Sequence, residues 1–214
     1  MMAGKTNHIR KIISFIKKYR IASWAGIIGS IVFVVTFTVE GWLREDFNAF
    51  KMYISELALG PRGWIQIFNF IIFGVLLLIF TISIIDRFKG VKGSKIGPIL
   101  LAVIGVNFII SGIFVIDPSS EESLHGIIHS ISSTLIFLLA SISCFIFFHL
   151  FHEHPKWQNL SWWTLVVGIV IMTLAIFIEI DGTLLNLWPG LIQRIAATIG
   201  LLWILTFAIR LRER

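Results

Sequence analysis

Two histidines, His125 and His129, stand four residues apart in the stretch Leu124-His125-Gly126-Ile127-Ile128-His129. On a helix that spacing stacks both imidazoles on one face, about 6 Å apart along the axis. Such a pair can supply two nitrogen ligands to zinc, which needs at least a third ligand from the protein. No other histidine falls at the same end of the chain's apolar runs, so the third donor would be a carboxylate. Asp117 is the first candidate, with Glu40, Glu56, Glu179 and Asp181 behind it. Zinc held by Asp117, His125 and His129 would polarise a carbonyl or activate water, and Ser55 or Glu56 would then handle the oxyanion or the proton as the catalytic pair. A second chemistry uses the same neighbourhood without a metal. Arg62 and Arg194 match an anion, and with Glu40 and Glu179 they form a set able to bind a small ligand or a lipid headgroup. A third reading is structural: histidines hydrogen-bonded at a helix end, and Glu56 paired with Arg62 or Arg194 inside a capped turn.

The elements that must position these residues are set by composition. Of 214 residues, 57% are hydrophobic and 14% charged, against about 45–50% and 25% in soluble domains. Mean hydropathy is +0.90, more apolar surface than one aqueous core can bury. A single cysteine, Cys144, excludes an internal disulfide. Six runs are long enough to cross a hydrocarbon layer of roughly 30 Å as helix; they lie near 21–40, 63–86, 96–116, 125–149, 161–180 and 190–209. The expected fold class is therefore all-α, a polytopic membrane bundle of six transmembrane helices. Residues 1–20 form a basic leader, 21–209 a single transmembrane domain and 210–214 a basic tail. In the leader, Ile9, Ile12, Ile13 and Ile16 recur at helical spacing among Lys and Arg, which fits either a short helix lying on the membrane surface or a frayed basic tail. Between the third and fourth spans, Pro118 ends one helix and the Ser/Glu cluster up to Ser123 can cap the next.

Basic residues follow the cytoplasmic side of membrane proteins. Alternating the spans from a cytoplasmic N-terminus puts 14 of the 18 Lys and Arg inside and leaves Arg44, Lys51, Arg62 and Arg194 outside. Both termini are thus expected in the cytoplasm of a multi-pass cell-membrane protein. The net charge of +6 then sets topology against anionic lipid, and nucleic-acid binding loses its support. Acids take the opposite side: Glu40, Glu45, Asp46, Glu56, Asp117, Glu121, Glu122, Glu179 and Asp181 all fall at outer ends or in outer loops. Ser132, Ser133 and Thr134 continue the polarity of the histidine pair down the fourth span. The expectation is one outer pocket in which Glu40, Glu56, Asp117, His125, His129 and Arg194 converge beneath a roof made by Ser55–Trp64.

The stretch Ile54-Ser55-Glu56-Leu57 with Gly60-Pro61 and Trp64, then Gly112-Ile113-Phe114 leading to Asp117-Pro118, then Leu124-His125-Gly126 with His129, and finally Gly190-Leu191-Ile192-Gln193-Arg194, resembles the prokaryotic membrane family called domain of unknown function 998. The likeness covers the chain from the first span to the sixth. It implies a six-span bundle and implies no activity. More distantly, the chain is similar to the Frag1/DRAM/Sfk1 group of six-span proteins, which also carries a serine-acid motif in its first luminal loop. A third comparison is with alkaline ceramidases and adiponectin-type receptors, which use Ser, Asp and three His around zinc; this chain offers Ser55, Asp117 and two His, and has six spans where they have seven. The function expected is binding or processing of a membrane lipid or small ligand at the outer side. A zinc-dependent hydrolase of an outer-leaflet lipid is the alternative, and a transporter ranks third because no acid lies at mid-depth.

Overall fold

The computed structural model describes residues 2–88, 90–91, 94–117, 123–179 and 187–213, and their side chains except at 2–21, 86 and 179. The elements are α1 (Met2–Leu43), a 3-10 turn (Ile54–Ala58), α2 (Gly63–Arg87), α3 (Ile96–Ile113), α4 (Leu124–His152), α5 (Gln158–Glu179) and α6 (Pro189–Arg212), with no strand among the described residues. Six helices are long and apolar enough to cross a membrane. Their outward faces carry Ile28, Val32, Val35 and Val39 on α1 and Val75 and Ile79 on α2, all exposed, while Ser23, Ser30, Asn69, Ser141 and Thr164 are buried. Apolar side chains turned outward at helical spacing, with polar ones inside, is what a lipid solvent selects. The chain is a multi-pass integral membrane protein.

Several boundaries differ from those expected by three residues or more, α6 running to Arg212 within the expected tail, and three of them have a cause in the sequence. The leader is helical, but α1 runs unbroken from Met2 to Leu43, so no turn separates a surface helix from the first span. The sequence supplies the reason, since neither Gly nor Pro occurs between Gly4 and Gly26. Helix α3 stops at Ile113, three residues early, where Phe114 turns extended and its N–H still reaches the Ile110 carbonyl; a helix cannot pass freely into Pro118. Helix α4 continues to His152, because no breaker intervenes before Pro155. Its start is as expected, with the Ser123 side chain accepting from the Gly126 N–H at 3.0 Å.

Each helix packs on its neighbours in the chain, and α6 packs on α1, so the six helices close a ring in sequence order. Short connections between spanning helices force alternate directions, so α1 enters the membrane and α6 leaves it at one face, here the terminal face. There Arg212 lies 4.3 Å over the Trp24 ring, joining the last helix to the first. Along α2 and α3 the backbones meet directly: a Cβ on Gly105 would lie 2.9 Å from the Gly74 carbonyl oxygen. Toward the terminal face the ring is filled by Phe80, Phe88, Phe147, Phe151, Trp157, Trp203 and Phe207, none more than 2% exposed. The Phe151 and Trp157 rings stack at 5.3 Å and 16°. Toward the opposite face, the loop face, space opens inside the ring.

Candidate functional site

The connection 44–62 covers the loop face, and the basic residues that the sequence assigned to an anion hold it in place. Arg62 donates to both carboxylate oxygens of Glu40, at 2.6 and 3.0 Å. The Glu40 hydrogen bond and charge raise the Arg62 guanidinium above its ordinary value, so it stays charged. Arg194, at the start of α6, donates from Nη1 to the carbonyls of Ala49 at 2.8 Å, Met52 at 2.6 Å and Gly190 at 3.0 Å. Its guanidinium also sits 5.1 Å over the Phe47 ring. Gly190 lets this approach happen, since a Cβ there would run into the Met52 carbonyl and stand 2.8 Å from that of Ala49. Next to Arg194, the Gln193 side-chain oxygen accepts from the Ile54 N–H at 2.7 Å. Glu56 closes its own turn by accepting from the Tyr53 N–H at 2.7 Å.

The histidines part company. His125 is exposed, its ring edge-on to Phe114 at 5.3 Å. His129 is 2% exposed and points inward, with Nδ1 2.8 Å from the Phe114 carbonyl oxygen. Its Nε2 is buried with no partner. The single pocket expected for Glu40, Glu56, Asp117, His125, His129 and Arg194 is therefore corrected. Glu40 is spent on Arg62, Arg194 on backbone carbonyls, Glu56 on its own turn, and His125 faces outward. Asp117 is half-buried in the extended segment after α3 and already engaged. The Glu179 side chain, Pro118, Glu121, Glu122 and Asp181 lie outside the described residues. Among the described residues no three His, Cys, Asp or Glu side chains come together around one point.

Of the expected residues, the structure brings together Ser55 and His129. Both line a cleft of about 450 Å³ between the loop-face halves of α4 and α5. One wall, from α4, the 44–62 connection and α6, is largely polar and uncharged: Tyr53, Ser55, His129, Ser130, Ser133, Thr134 and Gln193, with Gly126. The facing wall on α5 is apolar, Met172, Ala175, Ile176 and Ile178, and Ile116, Phe137 and Leu138 add to it. Ser130, Leu138 and Ile176 are exposed at the rim, so the cleft opens between α4 and α5. Ser55, Ser133, Phe137 and Gln193 also line a smaller void of about 80 Å³ on the ring axis, walled mainly by Phe33, Phe70, Phe73 and Phe108. Gln193 is the residue that residue-type reasoning passed over. Its signal was an amide in the first turns of an otherwise apolar span.

A model of the family described as Protein of unknown function (DUF998) matches residues 27–210, which takes in part of α1 and every later helix. No match is found among curated proteins or among solved structures.

Proposed function

Because the chain belongs to the DUF998 family, whose description carries no reaction, we propose its function from the cleft itself: the protein holds a membrane lipid by its polar end and upper chain at the extracytoplasmic side of the cell membrane. The observation that carries this reading is a cleft of about 450 Å³ with a polar wall on α4, the 44–62 connection and Gln193, an apolar wall on α5, and exposed Ser130, Leu138 and Ile176 at its rim. Its size falls in the range of roughly 300–1,000 Å³ common to small-molecule sites. The side assignment rests on the 14 to 4 partition of basic residues, which puts the loop face outside. Holding is favoured over transforming, because His129 Nε2 reaches no serine hydroxyl and, among the described residues, no charged side chain lines the cleft.

Native mass spectrometry of the protein extracted in mild detergent tests the reading. The expected result is retained lipid in the parent protein, and loss of it in Ala175→Trp, which fills the cleft from α5. Parent protein that carries no lipid, and whose melting temperature does not rise when membrane lipid is added back, would overturn it.

A further inference from the structure

We propose that the cleft selects uncharged lipids whose polar end bears a hydroxyl or amide N–H, and that His129 Nε2 is the acceptor that reads this group. The inference rests on the lipid-holding reading above and adds the ligand's chemistry. A backbone carbonyl can only accept, so the 2.8 Å contact between His129 Nδ1 and the Phe114 oxygen places the ring proton on Nδ1. Among the described residues no carboxylate lines the cleft to pair with an imidazolium. The neutral ring then has one lone pair, on Nε2, fixed in direction by the Nδ1 bond. That nitrogen is buried and makes no geometric hydrogen bond, in a side chain that is 2% exposed and lines the cleft, although the Ser111 backbone also lies beside the ring. A buried acceptor left unpaired costs free energy, and a ligand donor recovers it.

Gln193 supplies the complement. Its oxygen is taken by the Ile54 N–H, so its NH₂ is the part left to donate. An acceptor from α4 and a donor from α6 match the two halves of an alcohol or an amide. Among the described residues no Lys, Arg, Asp or Glu lines the cleft, so a charged headgroup finds no counter-charge from them; Arg62 is paired with Glu40, and Arg194, whose Nη2 has no partner, gives its Nη1 to backbone carbonyls.

The experiment uses the full chain in lipid nanodiscs and three probes with the same acyl chain: monooleoylglycerol, methyl oleate and oleoyl lysophosphatidate. Affinities are measured by competition against a fluorescent amphiphile. Monooleoylglycerol is expected to bind about ten-fold tighter than either of the others, the discrimination a buried, unpaired acceptor produces. His129→Asn, whose Nδ2 can still donate to the Phe114 carbonyl, is expected to bring monooleoylglycerol down to the methyl oleate level and to leave methyl oleate unchanged. Equal binding of monooleoylglycerol and methyl oleate, or preference for the lysophosphatidate, overturns the selectivity and leaves the lipid-holding reading standing. Binding of none of the three overturns both. The ranking in the parent protein decides the matter even if the variant fails to fold.

Discussion

Arg194 shows how far a residue's type can mislead about its partner. A cation near the outer end of a membrane helix invites an anion, and the sequence offered Glu56 and a lipid headgroup. The structure gives it three backbone carbonyls instead, with Glu56 acting on it only through charge. Every residue carries a carbonyl, so nothing in a sequence marks which ones will turn toward a guanidinium; the same blindness hid the Phe114 carbonyl from His129. Side-chain partners were half legible. Arg62 was expected to pair with an acid, and it does, but with Glu40 at the end of α1 and not with Glu56. Arg194→Met should release the 44–62 connection while leaving the helices intact. Each hydrogen bond to a charged group contributes about 1.5–3 kcal/mol, so unfolding in detergent should occur at clearly lower temperature. Trypsin should also cut faster at exposed Lys51, the basic residue beside Met52. Unchanged cleavage and melting would mean that Arg194 does not hold the connection.

At the scale of elements, the hydropathy runs were enough to place all six helices, because in lipid a span must satisfy its own backbone and its length is set by the membrane. What they left open was which helices touch. Apolar side chains face lipid and core alike here, so periodicity does not name the packed face. Small residues do so better. Gly74 and Gly105 let α2 and α3 approach until backbone meets backbone, and dispersion packing is the main attraction available between helices in lipid. Gly105→Ala pushes a methyl toward the Gly74 carbonyl at 2.9 Å and should destabilise the bundle by about 1–3 kcal/mol. Gly41→Ala is the matched control on α1, where the nearest atom, on the Phe47 ring, is 3.4 Å away; its melting temperature should equal or exceed that of the parent. If both variants melt alike, the seam between α2 and α3 does not limit stability.

For the molecule as a whole, the sequence distributed chemistry by side before the structure distributed it by depth. Polar neutral groups collect at the loop face in the cleft, while the terminal-face half is closed by stacked Phe and Trp rings. A lipid entering sideways between α4 and α5 would therefore stop partway, which fits a binding site better than a path across the membrane. Whether that site meets the outer or the inner leaflet depends on orientation, and the basic residues argue for the outer. Single cysteines can read this directly because the native Cys144 is 0% exposed and gives no background. Lys51 on the loop face and Lys156 on the terminal face are both exposed. In intact cells, a membrane-impermeant maleimide should label Lys51→Cys and spare Lys156→Cys until the membrane is opened. The reverse pattern would turn the cleft to the cytoplasmic leaflet and make the 14 to 4 partition of basic residues an exception to the rule that retains them inside.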